Sequence, residues 1–407
     1  MVRFRRPPSP AARLTVHLAV ATALAAPGPL AGQGGRPAPP PTEPAMTEVG
    51  FDSDRWAFSG GPATPTVVGR DTAWAVSGVA LLRDVAFENG VIELDAYRGF
   101  PALVFHAESP DEYETVYLRV PMSGRPDALQ YSPVHRRFLA WRLYPDGQAA
   151  ATFDTTGGMF ARNRFRVVVE GREARVYVNG AAAPSLVATL RHPARGGAIG
   201  VWGMAIAEGM QRFARFRYAA RPGPAAGAAP PAPAAVVPGA VTRWELSPLL
   251  PGVAIDAYPP ADSARQWRPI TADFDGLVNV SRYSGALVAE GRAVPVAARA
   301  VLTRGRAGRS RLAFAYCDRA ALFLNGRRVF VGTLPLSLAD DNPRIAARDT
   351  IQLDLRAGTN ELLVVTTGQT YTFGEPNGGW GFAARLLPEG AVRTSRASRP
   401  AVPTGAR

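Results

Sequence analysis

Glu93 and Asp95 stand two positions apart in the alternating run 90–97 (GVIELDAY). On a strand, that spacing turns both carboxylates to one face. Two acids at a set separation are what glycosidic cleavage needs, one protonating the leaving oxygen and one attacking or activating water. Tyr97 stands beside them and cannot replace a general acid. The polar outer face of a strand accounts for the same pair without any reaction. Glu114 is a third candidate acid, in an acidic stretch with Glu108, Asp111 and Glu112 that also reads as a solvated loop edge.

The stretch 111–144 (DEYETVYLRVPMSGRPDALQYSPVHRRFLAWRLY) suggests a different chemistry. On a strand over 113–120, Tyr113, Thr115, Tyr117 and Arg119 share one face, and Val116, Leu118 and Val120 the other. Gln130, Tyr131 and Trp141 fall on the strands expected next. Aromatic rings stack on the apolar face of a sugar, while fixed polar groups bond its hydroxyls. Tyr117, Arg119, Gln130, Tyr131 and Trp141 are therefore the candidate ligand residues. The alternative is that Tyr117 and Trp141 are core side chains of a sandwich.

Other chemistry has little material. No G-x-S-x-G, H-E-x-x-H, P-loop or helix-opening G-x-G-x-x-G motif occurs. Beyond residue 33 the histidines are His106, His135 and His192, few for a histidine metal site or a Ser-His-Asp triad. Cys317 is the single cysteine, so neither an internal disulfide nor a cysteine zinc site can form, and its apolar neighbours suit a small core residue. No cofactor and no transition-metal site is expected. Asp340-Asp341-Asn342 offers hard oxygens to a structural calcium, though a solvated acidic loop has the same composition.

The elements that must hold these residues read as strands. Alternation recurs at 90–97, 113–120, 164–170 and 174–178, and again at 311–316, 320–324, 327–331, 350–355 and 360–366. Asn89-Gly90, Asp146-Gly147, Asn179-Gly180 and Asn325-Gly326 read as hairpin turns, because both residue types tolerate positive φ. Gly358 suits a tight turn before Asn360, and Asn325 and Trp380 read as architectural. The segment 204–216 is the one helical candidate, taken here as a loop running into a strand. Many short strands with almost no helical periodicity predict an all-β chain of two β-sandwich or jelly-roll domains.

The chain has 407 residues, 47% of them hydrophobic, which excludes disorder throughout. Residues 1–33 read as a secretory signal, with Arg3, Arg5, Arg6 and Arg13 ahead of an apolar run too short to span a membrane. No later segment reads as a membrane span. A Pro-rich spacer (34–47) leads into a first domain (48–219). A Pro/Ala-rich linker (220–240) joins it to a second (241–388), and a basic tail (389–407) closes the chain. The net charge of +13 comes from 46 basic residues, all arginine. Four belong to the leader and four to the tail, and no recognisable nucleic-acid module is present, so nucleic-acid binding is not expected.

The pattern YE-x-x-YLR (113–119), SG-x-PDALQYSP (123–133) and W-x-LY (141–144) resembles a bacterial branch of the concanavalin A-like lectin/glucanase superfamily. The layout is also similar to the 3-keto-disaccharide hydrolase domains. GVIELD (90–95), the hairpin 165–180, GAIGVWG (197–203) and FARFRY (213–218) extend the likeness over roughly 48–219. Glu93 and Asp95 resemble the start of the E-x-D-x-E strand of laminarinase-like hydrolases, whose third acid is absent. AYCDRAALFLNGRRVFVG (315–332), LDLRAGTNELLVV (353–365) and GGWGFAARL (378–386) resemble galactose-binding-like jelly rolls. These resemblances imply carbohydrate as ligand and assign no catalytic residue.

The leading expectation is an exported, periplasmic or secreted protein that binds a glycan or oligosaccharide. One alternative is a glycoside hydrolase or lyase using Glu93, Asp95 or Glu114. Another is an envelope scaffold that meets a protein partner through its second domain.

Overall fold

The computed structural model describes residues 45–144, 149–155, 158, 161–192, 196–204, 211–221, 234–260, 266–284, 294–334, 344–345, 349–368 and 379–388. The expected leader, Asp146-Gly147, most of the Pro/Ala linker, Asp340–Asn342 with its calcium reading, and the tail 389–407 lie outside these residues.

The chain is all-β and builds two sandwiches from four antiparallel sheets. The first sheet runs Leu186–Thr189, Glu173–Val178, Asn163–Glu170, Asn89–Tyr97, Arg212–Arg221, Asp71–Ala75, Thr64–Val68, with Thr47–Val49 also on Arg212–Arg221. The second runs Phe138–Leu139, Leu129–His135, Glu112–Leu118, Pro101–Ser109, Ala198–Gly203, Gly78–Leu82, Trp56–Phe58, with Ala150–Ala151 also on Leu129–His135. Alternation decides what each face does. Ile92, Leu94, Ala96, Phe165 and Val167 of the first sheet meet Leu103, Phe105, Val116, Leu118 and Tyr131 of the second in one core. A bulge between Ala214 and Arg217, where Arg215 takes φ 50°, lets Phe213 and Phe216 both reach that core.

The second sandwich packs the sheet Arg268–Thr271, Arg243–Leu246, Val296–Arg304, Gly358–Thr367, Asp318–Leu324, Arg327–Leu334 on the sheet Leu277–Asn279, Gly381–Leu387, Gly308–Tyr316, Asp349–Leu355. Trp244, Leu322, Val364, Phe314 and Phe382 fill its core, and Trp380 is buried there as well. The only described helix, Val280–Ser284, follows Leu277–Asn279. Among the described residues no helix is long and apolar enough to cross a membrane.

The two sandwiches share more than a linker. Leu277, Ala315 and Cys317 join the first sandwich's core together with Leu143, Tyr144 and Ile345. Arg142, fully buried, donates to Asp318 Oδ1 at 2.5 Å, and the Arg142 carbonyl accepts from the Ile345 N–H at 2.7 Å. Arg191 pairs with Asp273 at 2.9 Å and Asp275 at 2.8 Å. Breaking a buried pair from one side costs about 3–5 kcal/mol, so such contacts fix one arrangement. The described end of the linker is held too: Val237 N–H donates to Phe274 O at 2.8 Å, and Leu386 N–H to Gly239 O at 2.8 Å.

Several local expectations change. Asn89-Gly90 is not a turn but the start of strand Asn89–Tyr97. Gly90 has φ 141°, and a Cβ there would stand 2.1 Å from Ala219 O, so close strand approach explains it. The strand expected over 113–120 ends at Leu118, because Pro121 lies in the 3-10 turn Val120–Met122 and has no N–H for a ladder. Trp141 likewise lies on a 3-10 turn, Trp141–Leu143, rather than on a strand. The other two turns stand as read, with Asn179 and Gly180 at φ 55° and 76°, and Asn325 and Gly326 at 50° and 80°. Within 204–216, residues 205–210 lie outside the described set, and the segment ends in strand Arg212–Arg221.

Candidate functional site

Strand Glu112–Leu118 is flanked by Pro101–Ser109 on one side and Leu129–His135 on the other. Its outer face carries Tyr113 and Tyr117, packed with Val104, Val134, Leu139 and Trp202 and flanked by the half-buried rings of Phe100 and Trp141. The register sets Tyr117 opposite Gln130. Tyr117 OH donates to Gln130 Oε1, Gln130 Nε2 donates to Asp127 O at 2.9 Å, and Arg119 pairs with the Asp127 carboxylate. Burial pushes the Tyr117 phenol up to about 12, which keeps it a hydrogen-bond donor. The Arg119 guanidinium lies 5.8 Å from the Phe100 ring centroid and 5.9 Å from that of Trp141. Arg344 stands 5.5 Å from the Trp141 centroid and donates to Trp141 O at 2.7 Å.

Of the five predicted ligand residues, Tyr117, Arg119, Gln130 and Trp141 thus come together. Tyr117, Arg119 and Gln130 are buried, and Trp141 brings a ring to the surface. Tyr131 is a correction. It is one residue beyond Gln130, so its side chain enters the opposite, inner face, where its hydroxyl donates to Glu114 Oε2 at 2.8 Å.

The three candidate acids do not form a pair across a cleft. Glu93 and Asp95 share the outer face of the first sheet, as their spacing requires, but arginines occupy both. Glu93 accepts from Arg166 and Arg217, each at 2.6 Å. Asp95 stands 3.6–3.8 Å from Arg162, Arg164 and Arg215. Tyr97 donates to Asp71 at 3.0 Å. Glu114 lies inside the first sandwich on the other sheet, with no exposed surface. Neither arrangement sets two carboxyl groups facing each other over open space.

Glu114 belongs to an assembly that spacing did not reveal. His135 ends strand Leu129–His135 on the inner side, and His192 follows strand Leu186–Thr189 of the first sheet. Glu112 Oε2 lies 3.1 Å from His135 Nδ1 and 3.3 Å from His192 Nε2, while His192 Nδ1 lies 3.3 Å from Glu114 Oε1. Glu114 Oε1 also accepts the backbone N–H groups of Arg191 and His192, at 2.9 and 2.7 Å. Burial opposes charge on His192, but the Glu114 and Glu112 carboxylates outweigh it and push its pKa up to about 9. Burial likewise opposes the Glu114 charge, yet His192 and the hydrogen bonds hold it down to about 2. His135 is pulled below its usual value, chiefly by burial. Among the described residues, Glu112, His135 and His192 are the group whose donor atoms lie close enough together to hold a metal ion. The sequence signal was only that all three histidines beyond residue 33 fall in the first domain; the residues they meet are distant along the chain.

No family model and no curated protein matches this chain. Among solved structures it is similar to a CBM66 carbohydrate-binding module from Bacillus subtilis (13% identity, 40% of this chain and 93% of that one, TM-score 0.29). It is similar also to domain 4 of a GH43 extracellular arabinanase from Geobacillus stearothermophilus, solved with arabinotriose (13%, 43% and 80%, TM-score 0.28). A third is described as a putative glycosyl hydrolase from Parabacteroides distasonis (11%, 41% and 89%, TM-score 0.28).

Proposed function

We propose that this protein binds a glycan at the edge of its first sandwich, where Phe100 and Trp141 stand beside Arg119. One observation carries the reading: a guanidinium lies close to two half-buried rings, 5.8 and 5.9 Å from their centroids. Asp127, Gln130 and Tyr117 hold that arrangement from behind. Rings supply an apolar surface for the face of a sugar, and a fixed arginine fork supplies donors to its hydroxyl or carboxylate oxygens. Tyr117 and Gln130 act as supports here, because both are buried and bonded to each other. Binding without hydrolysis fits the acids, since Glu93 and Asp95 are occupied by arginines and Glu114 is sealed in the interior.

Export to the periplasm or medium belongs to the same proposal, and N-terminal sequencing of the protein recovered from cells tests it. Binding is tested with an oligosaccharide array and affinity gels, using wild type, Trp141→Ala and Arg119→Ala. The expected result is retention of wild type on a subset of glycans and loss in both variants. Equal retention of all three proteins overturns the site, and product release from any glycan on the panel overturns the non-catalytic reading.

A further inference from the structure

We propose that Glu112, His135 and His192 form a zinc site that staples the two sheets of the first sandwich together. Glu112 opens one strand of the second sheet and His135 ends its neighbour, while His192 follows the edge strand of the first sheet. A cation bound by all three would tie both layers at one end.

The geometry is close to what zinc requires. Two ring nitrogens aim at one carboxylate oxygen, Glu112 Oε2, at 3.1 and 3.3 Å. One donor atom from each residue lies within 4.8 Å of the others. Zinc bonds of about 2.0–2.1 Å in a tetrahedron put donors about 3.3–3.4 Å apart. Two of the three separations therefore need little change. Without a cation, both rings point a nitrogen at the same oxygen with their centroids only 4.2 Å apart. A divalent cation satisfies both nitrogens and the oxygen together.

The surrounding groups are those that orient metal ligands. His192 Nδ1 is buried without a hydrogen-bond partner, yet it stands 3.3 Å from Glu114 Oε1. With Nε2 on the metal, Nδ1 carries the proton and Glu114 receives it, a carboxylate–histidine–zinc chain. Glu114 is itself fixed by the Tyr131 hydroxyl and two backbone N–H groups. Glu112 Oε1 is fixed by the Arg136 N–H at 2.9 Å, leaving Oε2 for the ion. The nearby Arg191 charge is met by Asp273 and Asp275. Two imidazoles and one carboxylate are a set that zinc uses with one position left for water. The Glu112 side chain is 32% exposed, which gives the ion a route.

The test uses the full chain, stripped with a chelator and titrated with Co²⁺ alone, then with Zn²⁺. Expected are one bound equivalent, the visible absorption of a low-coordinate cobalt centre, its loss when Zn²⁺ displaces cobalt, and a higher melting temperature with Zn²⁺. His135→Gln and Glu112→Gln, each checked for native circular dichroism, should lack the band. Glu114→Gln should bind zinc about 10–100-fold more weakly. A wild-type spectrum that stays that of free aqueous cobalt overturns the proposal even if a variant fails to fold. A band that survives unchanged in both ligand variants overturns it as well.

Discussion

Glu112 and Glu114 face one side of strand Glu112–Leu118, and Tyr117 faces the other, so one strand serves two polar assemblies that differ in kind. On the outer side, the donors of Tyr117, Gln130 and Arg119 each find an acceptor within the network, and the half-buried rings of Phe100 and Trp141 stand at its rim. On the inner side, donors converge instead of pairing off, two imidazoles on a single carboxylate oxygen and two backbone N–H groups on another. On the outer side, Tyr117, Gln130 and Asp127 act as supports for the two rings and the Arg119 guanidinium beside them. The convergent network on the inner side holds charge in the interior and stands ready for a cation. The difference separates a surface suited to an external ligand from a cluster that joins two sheets.

The comparison breaks first at Glu114. Glu114→Ala leaves His192 and two N–H groups without their acceptor inside the sandwich, and the expected loss is about 3–5 kcal/mol in urea unfolding. A loss under about 1 kcal/mol would mean that the inner cluster is solvated and not structural. Asp127→Ala removes the carboxylate paired with Arg119 at a less buried place and should cost about 1.5–3 kcal/mol. Its glycan binding should weaken as well, because the guanidinium beside the rings loses its anchor. Tyr117→Phe deletes one hydrogen bond while keeping the ring, for about 1 kcal/mol, with binding nearly unchanged. A large loss of binding in Tyr117→Phe would promote that hydroxyl from support to ligand contact. Trp141→Ala should be the most severe of the four in glycan retention.

Much of the fold was legible because alternation is a local property. The runs 164–170, 174–178 and 350–355 became strands, and Asn179-Gly180 and Asn325-Gly326 became tight turns. Misreadings came where a neighbour in space decided the outcome. Gly90 is glycine because Ala219 O passes close by, not because the chain turns. Tyr131 went to the inner face because the register placed its neighbour Gln130 opposite Tyr117. The histidine cluster was illegible for the same reason. Nothing along the sequence joins His135 to His192; the packing of one sheet on the other does. The junction between sandwiches was hidden too, since Arg142 meets Asp318, and Arg191 meets Asp273 and Asp275, across residues far apart in the chain.

The central claim is that the Phe100–Trp141 edge receives the glycan. Calorimetric titration of the best oligosaccharide from the array into wild type and Trp141→Ala, compared at equal folded fraction, tests it most directly. Loss of a stacking ring worth about 1.4 kcal/mol predicts about a tenfold weaker dissociation constant for the variant. Identical dissociation constants would contradict the claim and move the ligand away from this edge.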